Sequence, residues 1–215
     1  MSLLLDRLPD AVIIGGQSVP IRTDFRYSIL FEMLCLDNSL SSAQKSEQAL
    51  RLMYPALSVL PLNEPQQIVD GLLWFFRGGD RPRNRHQIAQ QHRQSDAPTE
   101  RVYDYNYDDE LIYAAFLQQY GIDLTSAHLH WWQYRALFSA LSEETKFMRV
   151  LGYRTAKITQ NMSKEEKRHL RRMKEIYALP VSLDEAAKEA AIAEALQSGN
   201  AEAVMALLRG GEENV

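Results

Sequence analysis

The sequence predicts a mainly α-helical domain that begins with a small β-hairpin. Hydrophobic residues make up 46% of the 215 residues and charged residues 24%, a composition that excludes disorder of the whole chain and can supply a core. Most of the apolar residues recur at helical spacing between residues that cap helices. One Gly-Gly pair between two β-branched runs indicates the hairpin.

Charge, cysteine content and hydropathy exclude several classes of protein. The 24 Lys and Arg residues and 28 Asp and Glu residues give a net charge of -4, which does not favour a polyanion-binding protein as a whole. The single cysteine, Cys35, cannot form an internal disulfide. Residues 1–9 lack the features of a signal peptide, and no apolar stretch approaches the roughly 20 residues that cross a bilayer. We therefore expect an intracellular protein outside the membrane.

The hairpin is predicted for residues 11–21. Gly15 and Gly16 supply the positive φ angles that a tight turn requires. Pro20 has no N–H to donate, so the second strand is expected at an edge. A phosphate-binding loop would need a further Gly, a Lys and a Ser or Thr at set positions after this pair, and they are absent. We interpret the pair as a turn.

Helices are predicted along most of the remaining chain. Thr23 or Asp24 can cap the first of them, and Ser163 with Glu166 forms a capping box for a later one. Gly121 is placed to end another helix. The predicted helices span residues 24–36, 41–54, 64–76, 110–120, 126–141, 142–151 and 163–177.

Residues 77–101 are predicted to form a long mobile loop. They include arginines at positions 77, 81, 83 and 85 and, apart from Ile88, almost no large apolar residue. Guanidinium groups bind nucleic-acid phosphates well, but no aromatic residues are interleaved here for base stacking. The pattern therefore favours a solvated loop over a nucleic-acid contact.

Residues 181–215 are predicted to extend the domain formed by residues 1–180. Ser182 and Glu185 can cap an alanine-rich helix, and Gly199 with Asn200 turns the chain into a short last helix. Small side chains bury little area per turn. We expect a weakly anchored C-terminal helical hairpin.

Tyrosines alternate with Asp104 and Asn106 over residues 102–107, which predicts a short extended segment with one ring-lined face. The acidic spacing also resembles the start of a calcium loop. Asp109 stands where that loop needs its turn glycine, and Ala115 where it needs its bidentate glutamate. The acidic residues 108–110 are better explained as favourable charges at a helix N-terminus.

The helix predicted for residues 126–141 is apolar around most of its circumference. Such a helix lies either in the centre of a core or under a partner, and both alternatives stay open. The candidate partner-binding residues are Trp131, Tyr134, Phe138 and Arg135. The second apolar face also allows self-association. His128 and His130 do not share a helix face, so a zinc pair is not predicted.

The helix predicted for residues 163–177 is strongly basic on one side. It is expected to be a solvated amphipathic helix, with a partner-binding basic face as the alternative. The residues of this face are Lys167, Arg168, Arg171 and Arg172.

No catalytic or cofactor-binding motif is present in the sequence. A nucleophile elbow, a dinucleotide fingerprint and a Walker loop are all missing, and Cys35 has no nearby histidine in sequence. We therefore expect a protein that is not an enzyme and that needs neither a cofactor nor a metal ion.

The string PIRTDFR at 20–26, which follows the hairpin, resembles the start of small tail-module proteins of long-tailed bacteriophages. More specific strings are VYDYNYD at 102–108, LIYAAF at 111–116, LHWWQYRALF at 129–138, LSEETKF at 141–147, GYR at 152–154 and YALP at 177–180. These strings resemble the "gene product fifteen" family of bacteriophage proteins, and the resemblance covers most of residues 10–180.

The resemblance implies a phage or prophage protein of the tail module. Such genes usually lie between those of the major tail protein and the tape-measure protein, a position typical of tail assembly chaperones. The implied partners are the tape-measure protein and other tail proteins, in the host cytoplasm and not in the mature virion. The family has no established catalytic residues. Two alternatives stay open: a structural tail or head–tail component retained in the virion, and a nucleic-acid-binding protein that uses the basic loop and helix.

Overall fold

A computed structural model describes residues 3–61, 63–79 and 102–180. Over these residues the protein is mainly α-helical with one N-terminal β-hairpin, so the predicted fold class is confirmed. The elements are β1 (Ala11–Ile14), β2 (Gln17–Pro20), α1 (Phe25–Leu36), α2 (Ser42–Met53), a 3₁₀ turn (Leu57–Val59), α3 (Pro65–Arg77), α4 (Asp109–Tyr120), α5 (Trp131–Ser139), α6 (Lys146–Thr155) and α7 (Lys164–Ile176). Most of the predicted loop (80–101) and the predicted C-terminal helices lie outside the described residues.

The hairpin forms as predicted. Gly15 and Gly16 have φ angles of 57° and 77°, which give the two-residue turn that matches strand twist. Val12 pairs with Val19, and both side chains are buried in the core. Gly71 of α3 packs on this inner face, where a Cβ atom would lie 3.3 Å from Cγ2 of Val12.

The core lies between the hairpin and helices α1, α3, α4 and α5. Its largest buried side chains are aromatic, and the ring of Tyr134 stacks on Phe25 and Phe116 with centroid distances of 4.8 and 5.1 Å. Helix α2 packs against α1, and α6 packs against α4 and α7. The aromatic helix α5 therefore lies in the centre of the core, which was one of the two positions that its composition left open.

The helix caps are partly as predicted. Asp24 caps α1, and the Ser163–Glu166 capping box opens α7. The start predicted at Ser142 for α6 is wrong, since Thr145 is the N-cap. The helix runs to Thr155, beyond the predicted end at residue 151.

Helix α5 begins at Trp131, five residues later than predicted. Residues before it run beside the start of α1, where the amide of Phe25 donates to the carbonyl of Leu129 and the amide of Trp131 donates to Thr23. His130 is the N-cap, because its Nδ1 accepts a hydrogen bond of 3.0 Å from the amide of Trp132. Its Nε2 lies 3.0 Å from the carbonyl oxygen of Pro9. These contacts join distant parts of the chain, which no local pattern reveals.

The extended tyrosine segment predicted at 102–107 is wrong. Residues 105–107 form a turn in which the amides of Tyr107 and Asp108 both donate to the carbonyl of Asp104. The Asp104 carboxylate also accepts a bond of 2.6 Å from the amide of Asn106. A short side chain that bonds the backbone two residues ahead favours a turn over a strand.

Protonation of His130 is expected to destabilise the fold. Nδ1 must be unprotonated to cap α5, and burial lowers the pKa of this histidine below its usual 6.5. The stabilisation is thus complete above pH 6.5 and is lost as the pH falls through the lowered pKa, a loss of about 1 kcal/mol. Chemical denaturation at a series of pH values from neutral to mildly acidic measures it. His130→Asn, which caps at any pH, should remove this acid sensitivity. His128→Asn, at an exposed position, should keep it.

Candidate functional site

The predicted partner-binding side chains of α5 lie mostly inside the fold. Trp131 and Tyr134 are buried, and Phe138 is half-buried against the rings of Tyr103 and Phe147. These rings hold helices together and do not form a surface patch. Their contact with a partner stays a prediction, whereas their place in the core is a finding.

Side-chain donors of α5 form hydrogen bonds with the C-terminal end of α3. The indole N–H of Trp131 donates to the carbonyl of Phe76 at 2.7 Å, and that of Trp132 donates to the carbonyl of Phe75 at 2.8 Å. Nη1 of Arg135 also donates to the carbonyl of Phe76, at 3.1 Å. The last carbonyls of a helix have no partner within the helix. The carbonyl of Phe76 is satisfied by the donors from α5, whereas the carbonyl of Phe75 also accepts from the amide of Gly78.

A half-buried polar cluster lies beside these rings. The hydroxyl of Tyr103 donates to Oε1 of Glu32 at 2.7 Å. Burial raises the pKa of Glu32, and burial likewise raises the pKa values of Tyr103 and Tyr105. Phenols with raised pKa values stay protonated at neutral pH, so they serve as hydrogen-bond donors and not as bases. The cluster is suited to orienting helices.

An ion pair joins α4, α6 and the end of α7. Nη1 and Nη2 of Arg154 donate to the two carboxylate oxygens of Asp108 at 2.7 and 2.8 Å. Nε of Arg154 donates to the carbonyl of Tyr177 at 2.6 Å, and the amide of Asp104 donates to Asp108 at 3.0 Å. The carboxylate is 1% exposed and the guanidinium 12%, so the pair is structural.

The predicted basic face of α7 is largely accessible to solvent. Arg168, Arg171 and Arg172 are exposed, and they have no ion pair within the described ranges. Lys167 is half-buried, and its ammonium group donates to the carbonyl of Gln160 at 3.0 Å. Exposed Glu165 lies on the same helix and reduces the local charge. A role in binding a partner or nucleic acid stays a prediction.

The surface that the sequence reasoning missed lies on α1. The apolar stripe, which consists of Tyr27, Leu30, Met33 and Leu34, faces outward or is only half-buried. Leu34 is half-buried and packs against the core, so Tyr27 and Leu30 are the exposed members of the stripe.

The charged groups of α1 do not make its outer surface polar, because both are engaged in contacts with other segments. Arg26 donates to the carbonyl of Leu124 at 2.6 Å, and Glu32 accepts from Tyr103. Helix α1 is apolar on nearly all sides. The argument used for residues 126–141, that such a helix lies in a core or under a partner, therefore applies to α1 as well.

Two further classes of site are not formed by the described residues. Within residues 3–61, 63–79 and 102–180, no three His, Cys, Asp or Glu side chains cluster closely enough to hold a metal ion. Over the same residues, none of the helices has the length and hydropathy of a membrane span.

The fold and its surface define a small helical protein with an aromatic core and an apolar helix face. The family model described as Bacteriophage Gp15 protein matches residues 4–179. The chain belongs to this family and is a bacteriophage protein. Comparison with curated proteins and with solved structures gave no match.

Proposed function

We propose that this protein is a non-enzymatic tail assembly chaperone that binds the tape-measure protein in the host cytoplasm. The observation that carries the proposal is the apolar stripe of α1. Leu30, at its centre, is 48% exposed, and Tyr27 beside it is exposed as well. Large apolar side chains that stay exposed next to each other on a helix are typical of an interaction site.

The chemistry of this surface fits a helical client. An amphipathic helix binds by laying apolar side chains spaced three and four residues apart along a complementary apolar surface. The spacing of Tyr27, Leu30 and Leu34 offers the matching row. Half-exposed side chains bury modest area on binding, so the affinity is moderate, as a chaperone that later releases its client requires.

Co-expression with the tape-measure protein of the same phage tests the proposal. The wild-type chain is expected to co-purify with it and to increase its soluble fraction. Leu30→Glu should reduce the recovered complex at least about tenfold, because the contact would bury an unpaired carboxylate. Circular dichroism and a thermal melt check that the variant stays folded.

Leu117→Glu on α4 is the matched control, since Leu117 is 45% exposed on a different helix. It should leave the complex intact. Equal recovery with all three chains, or no co-purification of the wild-type chain, would reject the proposal.

Mass spectrometry of purified particles separates the chaperone from a retained structural component. A chaperone leaves before the tail is complete, so the protein should be absent or far below one copy per tail. Stoichiometric amounts in the virion would favour the structural alternative.

A further inference from the structure

Strand β1 has an open backbone edge. In the register of the hairpin, Ile14 pairs with Gln17 next to the turn, and the amide of Ile21 donates to Asp10 at the far end. Hydrogen-bonded pairs alternate in such a ladder, so the backbone groups of Ala11 and Ile13 point away from β2. Within the described residues they have no hydrogen-bond partner on that side. The side chain of Ile13 is 68% exposed.

The two edges of the hairpin are not equivalent. On β2 the outward positions are Ser18 and Pro20. Pro20 has no N–H, and proline at an edge blocks the addition of another strand. The outward positions of β1 carry no proline and no charge. Proline therefore blocks the edge of β2, whereas the edge of β1 can still pair with another strand.

A groove of about 350 Å³ lies along the open edge. Residues 11–13 form one wall, and Gln67, Asp70, Gly71 and Trp74 of α3 form the other. Helix α3 runs alongside β1 in the opposite direction, since Gln67 accepts from the amide of Gly15 and Gly71 packs on Val12. An exposed strand edge with side-chain pockets beside it is the arrangement to which proteins add an extended peptide as a further strand.

The lining of the groove specifies the side chains of an occupant. Asp70 contributes a carboxylate, Trp74 an apolar ring, and none of the lining residues is cationic. These two residues are separated by about 6 Å of helix rise, and two strand residues span about 6.6 Å. A strand in the groove can therefore face both of them with side chains two positions apart.

We propose that the open edge of β1 and this groove bind an extended segment of another polypeptide by β-strand addition. The segment places an apolar side chain against Trp74 and a Lys or Arg, two positions away, against Asp70. This site is separate from the apolar stripe of α1 and does not depend on the chaperone proposal.

An NMR titration with a synthetic peptide tests the site. The probe is acetyl-Thr-Val-Lys-Val-Leu-Thr-amide, whose lysine and leucine lie on one face of a strand. With ¹⁵N-labelled protein, the largest shifts are expected at the amides of Ala11 and Ile13 and at the indole N–H of Trp74. A peptide with glutamate in place of lysine should bind about tenfold more weakly. A peptide whose backbone amides facing β1 are N-methylated should lose affinity by a similar factor, because those amides can no longer donate hydrogen bonds.

Two proline variants form a matched pair. Ile13→Pro removes an outward N–H from β1, and Ser18→Pro removes one from β2 at the directly opposite position. Ile13→Pro should abolish the shifts, whereas Ser18→Pro should retain them. Asp70→Lys should reverse the preference between the lysine and glutamate peptides.

Three results would overturn the proposal. These are an absence of shifts in the wild-type protein, equal binding by both proline variants, and shifts at Ala11 and Ile13 that depend on protein concentration without peptide. The last result would assign the edge to a second copy of this chain.

Discussion

Asp108→Asn is expected to lower the free energy of unfolding by about 3–5 kcal/mol, because it leaves the buried guanidinium of Arg154 without a counter-charge. Arg154→Met should lower the free energy of unfolding by a similar amount. It leaves the carboxylate of Asp108, which is 1% exposed, without its cationic partner. The double variant should be less destabilised than the sum of the two single changes. Urea denaturation of the four proteins measures the coupling energy.

A surface ion pair is the control for this measurement. Arg51 and Glu47 also approach to 2.7 Å, but their side chains are 65% and 64% exposed. Glu47→Gln should therefore change the free energy of unfolding by only about 0.3–0.5 kcal/mol. Similar costs for Glu47→Gln and Asp108→Asn would show that burial does not determine the strength of the Asp108–Arg154 pair.

The Asp108–Arg154 pair also joins two of the strings that resemble the phage family. Asp108 ends the string VYDYNYD, and Arg154 ends the string GYR, 46 residues further along the chain. The string LHWWQYRALF supplies the core helix α5. The strings that identify the family therefore build the scaffold of the domain. They predict its fold.

Local patterns predicted the elements whose causes are local. The Gly15-Gly16 turn and the Ser163–Glu166 capping box depend on residues within three positions of each other, and both form. The start of α5 was placed too early because it depends on Thr23 and Pro9, which are far away in sequence. Spacing carries no information about such partners.

The candidate site was harder to predict because a helix that is apolar all round does not reveal which side faces solvent. Both α1 and α5 are helices of this type. Hydrophobicity alone pointed to α5, which has more aromatic residues. Tertiary packing places α5 between α1, α3 and the Tyr103 segment, whereas α1 is covered on only part of its surface.

Trp132→Ala is expected to destabilise the protein by about 3–5 kcal/mol, because it removes a fully buried indole and leaves a cavity. The ring packs against Trp74 and Phe75, so the loss affects the contact between α5 and α3 directly. Trp132→Phe keeps most of the packing. It removes the N–H that donates to the carbonyl of Phe75, which still accepts from the amide of Gly78, so the lost hydrogen bond should cost about 0.5–1.5 kcal/mol.

The order of these two costs distinguishes packing from hydrogen bonding as the role of Trp132. If packing dominates, Trp132→Phe retains most of the stability in a urea titration, and its amide exchange at the C-terminal end of α3 is faster than in the wild type. Equal costs for the two variants would assign the role to the N–H···O=C bond. The exposed ring of Tyr107 is the control, and Tyr107→Ala should change stability by less than about 0.5 kcal/mol. A loss below about 1 kcal/mol for Trp132→Ala would contradict the placement of α5 at the centre of the core.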